Sequence, residues 1–209
     1  GELPVLRPGV PLLVFSSHRH EDHFKPEIFA LNAQAFLLGK DISLSARNRA
    51  RWGLSDETAD KCTVLGGGEA VSPLPGVRVE ALPSTDEGVA FLVTADGCTV
   101  YHAGDLNWWH WEGEDRAWNR NMEASFKTYI EPLRGRSIDL AFAPLDPRQE
   151  DAASWGFRYL LELADVRRVF PMHQWEDFSP TDVFLSEWPS LAPKVVPVER
   201  KGQRWVFED

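Results

Sequence analysis

The stretch "SSHRHEDHF", residues 16–24, contains three of the six histidines of this 209-residue chain, together with two acidic residues. It directly follows "VPLLVF" (residues 10–15), a short apolar run that predicts a buried strand. Lysine or serine would solvate a surface loop equally well, so solvation does not explain this use of histidine. Imidazoles and carboxylates crowded at the end of a strand are typical of a metal site.

The spacing within the stretch constrains its geometry. In an extended chain His18, His20 and Asp22 share one face, and His23 points to the other. All four side chains therefore converge only if the chain turns where the strand ends. Pro26, a favourable first residue of a helix, indicates such a turn.

Composition and charge exclude several classes of partner. A net charge of −10 and a pI of about 5.1 argue against a nucleic-acid backbone or an anionic membrane, since both attract basic surfaces. No apolar run reaches the roughly 18 residues that a membrane span needs, and we expect no signal peptide from the opening residues. The two cysteines form no disulfide framework, which favours a cytoplasmic protein. We expect one domain over residues 1–209 that acts on a small molecule; homo-oligomers remain open.

The rest of the chain alternates strand and helix patterns. Asp96-Gly97 between two apolar runs is a strong hairpin signal. Helices are predicted at about 115–133, 155–165 and near 181–189. Strands are predicted at 35–39, 62–66, 77–82, 89–94, 98–104, 139–144, 167–173, 194–198 and 203–207. This order predicts an α/β protein in which helices cover β-sheets.

Two distant residues also follow buried strands. "VYHAGD" ends at Asp105, and "RRVFPMH" ends at His173. Sites often form where strands end, so both side chains are expected at the same edge of the fold as His18 and His20.

The pattern His-x-His-x-Asp-His, a later Gly-Asp and a still later strand-end His resembles the metallo-β-lactamase-fold hydrolase superfamily. The resemblance covers residues 10 to 178 and leans toward the ascorbate-6-phosphate lactonase-like branch. It implies a four-layer αββα sandwich of two mixed β-sheets flanked by helices. It also implies one or two divalent ions, of which zinc suits neutral imidazole best; manganese stays open because several ligands are oxygens.

The same resemblance implies a set of ligands. His18 and His20 would bind one ion and Asp105 would bridge to a second. The second ion would be held by Asp22, His23 and His173.

The chain departs from the family at two places. The loop that usually supplies a further histidine to the first ion reads "PSTDEGVAF" (residues 83–91) and contains none. Asp86 is the candidate replacement; otherwise solvent completes the site or the first ion is weak or absent. His102 is expected to support Asp105 rather than to bind an ion. The family also usually begins with a strand pair before residues 10–15, and only nine residues precede them here.

Four more residues are candidates for substrate contact or for support of the ligands. Trp108 and His110 follow Asp105 in "GDLNWWHWEGED", where core packing is the alternative interpretation. Asp146 and Arg148 follow the strand "DLAFAP" (residues 139–144). Asp146 would orient a ligand, and Arg148 would pair with an anionic group of a substrate.

These features predict a hydrolase in which a metal-bound hydroxide attacks an ester, lactone or phosphodiester-type substrate. Asp22 would ligate the metal and orient the attacking water. Two other classes stay open, namely a metal-dependent nuclease or phosphodiesterase of the same fold and a non-catalytic metal-binding module.

Overall fold

The computed structural model describes residues 8–200 and 202–207. One sheet consists of three parallel strands in the order β1-β2-β3. These strands are β1 (Leu13–Ser16), β2 (Ala35–Gly39) and β3 (Cys62–Leu65). Parallel neighbours need crossover connections. Here the crossovers carry a 3₁₀ helix (Pro26–Ala30) and the helices α1 (Ala46–Trp52) and α2 (Asp56–Asp60).

The second sheet has six strands in sequence order, antiparallel from β4 to β7 and parallel from β7 to β9. The strands are β4 (Ala70–Val71), β5 (Val77–Pro83), β6 (Val89–Ala95), β7 (Cys98–His102), β8 (Ser137–Pro144) and β9 (Asp165–Met172). Its helices are α3 (Arg116–Ile130), α4 (Ala153–Leu163) and α5 (Ser179–Glu187).

Alternation of side chains along the strands builds the layers. In β2, Leu37 packs against the second sheet, whereas Phe36 and Leu38 pack against the segment that carries the first helices. In β6, Phe91 faces the first sheet and Leu92 faces the core beneath α3 and α4. Both sheets therefore bury both faces, which requires apolar residues at successive strand positions. The result is the predicted αββα arrangement of two sheets between helices.

Most predicted elements form, with differences at the ends of the chain. The Asp96-Gly97 hairpin is confirmed, and both residues have the positive φ angles that this turn requires, 51° and 79°. The strands predicted at 194–198 and 203–207 are wrong, since the described part of this region makes only an isolated bridge, from Val169 to Val195. Pro197 has no N–H to continue that pairing. The expected shortening before β1 concerns residues 1–7, which lie outside the described residues.

No helix within the described ranges is both long and apolar enough to cross a membrane. For the candidate site, the important feature of the fold is its rim of strand ends. β1 from one sheet and β7, β8 and β9 from the other all end beside the motif at residues 16–24.

Candidate metal centre

Asp105, which follows β7, lies at the centre of a group of histidines that follow β1 and β9. Its Oδ2 is 3.2 Å from Nε2 of His18, and its Oδ1 is 3.2 Å from Nε2 of His23. The same Oδ1 is 2.8 Å from Nε2 of His173, although 68 residues separate the two in sequence, which is 173 minus 105. The structure therefore brings these four sequence-predicted residues into one cluster.

The other two residues of the motif lie at the rim of this cluster. Nδ1 of His20 is 3.0 Å from Nε2 of His18, and Oδ2 of Asp22 is 3.5 Å from Nε2 of His23. Both rim side chains are nearly half exposed, 45% for His20 and 44% for Asp22. The cluster is thus buried on the Asp105 side and open to solvent on the side of His20 and Asp22.

The arrangement fits a cation better than it fits a set of hydrogen bonds. Nε2 of His23 and Nε2 of His173 face each other at 3.1 Å, and both lie within 3.2 Å of the buried Oδ1 of Asp105. A buried carboxylate is costly unless positive charge, from protons or from a cation, compensates it. Three groups have ligand atoms within 4.8 Å of one another: His18, His20 and Asp105; His18, Asp22 and His23; His23, Asp105 and His173.

The side chains of the cluster shift one another's pKa values. Burial alone would raise the pKa of Asp105, but its contacts with His173, His18 and His23 hold that pKa far below its usual range. Burial opposes protonation of His173, yet the carboxylates of Asp105 and Asp146 outweigh it and raise the pKa of His173 to about 9. The pKa of His18 is raised in the same way, because Asp105 outweighs burial. Without a metal, protons supply the positive charge that Asp105 requires.

Two glycines allow the strand ends to approach this closely. A Cβ on Gly104 would lie 2.8 Å from Cβ of Ser17 and 2.9 Å from the carbonyl oxygen of Val89. A Cβ on Gly88 would lie 2.0 Å from the carbonyl oxygen of Ser17, and φ at this residue is +73°. Both positions therefore require glycine: Gly88 lies against the backbone of Ser17, and Gly104 lies against the Ser17 side chain.

Three further residues make hydrogen bonds to the cluster or to the Asp105 loop. His102 accepts a hydrogen bond from the N–H of Gly104 at 3.1 Å, as expected for a residue that supports the Asp105 loop. Burial lowers the pKa of His102 to about 4, so it is neutral. Trp109, which the sequence interpretation did not single out, donates from Nε1 to the carbonyl of Asp105 at 3.0 Å. Sequence reasoning also missed Ser17, whose Oγ lies near the Nδ1 atoms of His18 and His23.

Asp146 and Arg148 lie behind and beside His173. Oδ2 of Asp146 is 3.7 Å from Nδ1 of His173, and Arg148 binds both Asp146 oxygens through Nε and Nη2. Burial would raise the pKa of Asp146, but its contacts with His173 and Arg148 hold it well below the usual range. The half-exposed guanidinium lies 4.6 Å from the ring of Trp175 and 5.9 Å from the ring of Trp111. Arg148 is thus held at the rim by one carboxylate and two indoles.

Three predicted residues do not take the positions expected of them. Trp108 packs between α3 and α4, against Phe126 and Trp155, because its ring completes the apolar core there. The ring of His110 lies against Trp155 at 4.7 Å and contacts no residue of the histidine cluster.

Asp86 is the third. It is exposed and belongs to none of the three ligand groups. The acidic residue beside His20 is instead Glu87, whose Oε2 is 3.7 Å from Nε2 of His20.

An apolar cavity of about 620 Å³ adjoins the cluster. Asp22, His23 and His173 lie on its wall together with Phe91 and Phe142. There is accordingly room for a small molecule next to the histidines.

Comparisons with known proteins establish the fold. No protein-family model and no curated protein matches the chain. Among solved structures, the CmlA beta-hydroxylase E377D mutant matches with a TM-score of 0.59 and 14% identity, over 88% of this chain and 42% of that one. The metallo-beta-lactamase fold protein YhfI from Bacillus subtilis matches with a TM-score of 0.43 and 12% identity, over 77% of this chain and 64% of that one. Zn(2+)-bound PqqB from Methylobacterium extorquens matches with a TM-score of 0.45 and 16% identity, over 77% and 58%.

The chain thus spans less than two thirds of each of these three proteins. With its two sheets between helices, it has a fold of the metallo-β-lactamase type, as the sequence predicts. The lactonase-like branch stays a prediction.

Proposed function

We propose that this chain is a metal-dependent hydrolase that acts on a small molecule with an ester, lactone or phosphodiester bond. The convergence of His18, His23 and His173 on the buried carboxylate of Asp105 is the observation that carries this proposal. A divalent ion bound there would lower the pKa of a water molecule toward neutrality and polarise the carbonyl or phosphoryl oxygen of the substrate.

Two ions, if bound, would divide these residues between them and share Asp105. His18 and His20 lie on the Oδ2 side of Asp105. His23 and His173 lie on the Oδ1 side, where Asp22 reaches His23 from the rim. Zinc is the metal that we propose, because most donors are imidazole nitrogens; manganese is the alternative that the carboxylates leave open.

The open rim supports catalysis over a purely structural metal site. Structural zinc sites are closed by four protein ligands, often cysteines, whereas catalytic sites leave a position for water or substrate. Here both His20 and Asp22 are nearly half exposed at the mouth of the cluster. We infer that Asp22, exposed at this mouth, would accept a hydrogen bond from the attacking water and so orient it.

Arg148 is the residue that we propose for recognition of an anionic group on the substrate. Its Nε and Nη2 are bound to Asp146, and no hydrogen bond from its Nη1 occurs among the described residues. A guanidinium held in this way can donate to a carboxylate or phosphate without reordering its side chain. An anionic lactone, as in the lactonase-like branch that the sequence resembles, would fit this requirement. The net charge of −10 makes a long nucleic acid a poor substrate.

Metal analysis of the purified protein, combined with turnover of ester, lactone and phosphodiester compounds with and without a chelator, tests the proposal. We expect zinc in the purified protein, hydrolysis of at least one compound class and loss of that activity on chelation. Asp105→Asn should lower both metal content and turnover, the latter to about 1% of wild type or less. Hydrolysis that survives complete removal of metal would overturn the proposal; metal binding without any turnover would favour the non-catalytic module.

A further inference from the structure

A single serine hydroxyl lies between two of the histidines that converge on Asp105. Oγ of Ser17 is 3.0 Å from Nδ1 of His18 and 3.1 Å from Nδ1 of His23. Ser17 is buried, with 4% of its surface exposed. The two rings thus meet Ser17 with one nitrogen and face Asp105 with the other.

The chemistry of a hydroxyl limits which protons these rings can carry. Serine has one hydrogen to donate and two lone pairs that accept, and a neutral imidazole has one N–H and one acceptor nitrogen. Ser17 can therefore donate to Nδ1 of only one of the two rings. If both Nδ1 atoms are to be satisfied at once, at least one of them must carry its hydrogen and donate it to Oγ.

We propose that Ser17 is a positioning residue that accepts hydrogen bonds from Nδ1–H of both His18 and His23 and so leaves both Nε2 atoms free to bind a cation. This inference rests on the proposed function for the identity of the cation as a metal. A ring whose Nδ1 is hydrogen-bonded to a neighbouring group is held in one tautomer and one orientation, which raises its affinity as a ligand.

The backbone around Ser17 holds the hydroxyl in place. The carbonyl of Ser17 accepts a hydrogen bond from the N–H of Val89 at 3.1 Å, which ties it to the second sheet. Gly88 and Gly104 pack against the same residue too closely for any side chain. Oγ is therefore positioned by both sheets rather than by its own loop.

Ser16 provides a matched control. It is adjacent, equally buried at 3% exposure, and its hydroxyl donates to the carbonyl oxygens of His23 at 2.8 Å and His18 at 3.4 Å. Replacing either serine with alanine removes one buried hydroxyl beside the same two residues. Of the two serines, only Ser17 contacts the ring nitrogens of His18 and His23.

The experiment compares wild type, Ser17→Ala and Ser16→Ala by long-range ¹H–¹⁵N NMR of the histidine rings and by zinc titration against a chelator. In the zinc-loaded wild type both His18 and His23 should be protonated at Nδ1. Ser17→Ala should lower zinc affinity by about 10–100-fold, whereas Ser16→Ala should stay close to wild type. A proton on Nε2 of either ring in the zinc-loaded wild type, or equal losses in the two variants, would overturn the inference.

The metal-free protein separates failure of this inference from failure of the proposed function. If the wild type binds no divalent ion, the proposed function fails, but Ser17 should still keep at least one of the two rings protonated at Nδ1 at a pH where both are neutral. Ser17→Ala should then shift the tautomers, and Ser16→Ala should not. Identical tautomers in all three proteins would show that Ser17 does not control them.

Discussion

Nε2 of His20 lies 3.7 Å from Oε2 of Glu87, and both oxygens of that carboxylate accept hydrogen bonds from the guanidinium of Arg19, at 2.8 and 3.0 Å. His20 turns its other nitrogen, Nδ1, toward His18. Glu87 therefore faces the side of the ring that points away from the candidate metal centre. If His20 binds a metal, a carboxylate in that place would orient its ring by charge rather than bind the metal itself.

Glu87→Ala should weaken metal binding at the position formed by His18 and His20, by about 10–100-fold. The physical reason is that His20, exposed at the rim, loses the partner that holds its ring. Titration with a chelator, with metal content measured at each step, reports this loss.

Asp86→Ala is the matched control, since Asp86 is the neighbouring acid and, among the described residues, makes no contact with His20 or the other candidate ligands. It should leave metal content unchanged. The opposite result, with Asp86→Ala losing metal and Glu87→Ala retaining it, would restore the interpretation drawn from the sequence alone.

The metal-free protein should be less stable at pH 9 than at pH 6. The pKa of His173 is raised from 6.5 to about 9 in the folded state, so its contribution to stability is complete below pH 6.5 and disappears as the pH rises through 9. Asp105 acts in the opposite sense: its lowered pKa contributes stability above about pH 3.8 that is lost on acidification. Thermal unfolding in excess chelator, measured at pH 9, at pH 6 and below pH 3.8, tests both effects.

Zinc binding should become tighter as the pH rises, whereas the stability of the metal-free protein falls. A ligand histidine must be neutral, so affinity for zinc should increase between pH 6.5 and about 9, and binding should release protons. Calorimetry in two buffers of different ionisation enthalpy counts those protons. Zinc binding that is independent of pH over this range would mean that His173 is not a ligand.

Arg148→Ala should raise KM for an anionic substrate by about tenfold, which corresponds to the loss of roughly 1.4 kcal/mol of binding. Arg148→Lys should not restore KM, because an ammonium cannot bind both oxygens of Asp146 and stack on Trp175 in the same geometry. A neutral analogue of the same substrate is the control and should show a much smaller change. Equal increases for both substrates would indicate that Arg148 only keeps Asp146 in place.

Trp108→Ala should lower the free energy of unfolding by about 3–5 kcal/mol and leave KM unchanged in the folded fraction. Its ring packs on Phe126, Trp155 and Tyr159 and lies 4.5 Å below Nζ of Lys127, all on the helical side of the second sheet. Trp175→Ala should instead change KM and leave the free energy of unfolding nearly unchanged, because Trp175 is 54% exposed and contacts His173 and Arg148. Denaturant unfolding and substrate kinetics of the two variants distinguish these roles. A change in KM confined to Trp108→Ala would indicate that Trp108, and not Trp175, contacts the substrate.

The amino-acid sequence by itself determined most strands of the fold and the strand ends at which the candidate ligands lie. Short apolar runs of period-two or continuous pattern predict β1, β2 and β5 to β9, and the residues that follow β1, β7 and β9 are the ones that converge. These features are local: the direction of a strand and the position where it ends depend on residues within a few places of each other.

Only the tertiary structure decided which nitrogen of each ring faces Asp105, and which neighbours hold the rings. Glu87 is 67 residues from His20, which is 87 minus 20, and only the folded chain shows that Glu87 rather than Asp86 lies beside that ring. Trp108 and Trp109 are adjacent in sequence, yet one packs under helices and the other binds the carbonyl of Asp105. No sequence spacing encodes those choices, because they depend on contacts between chain segments that meet only when the two sheets pack together.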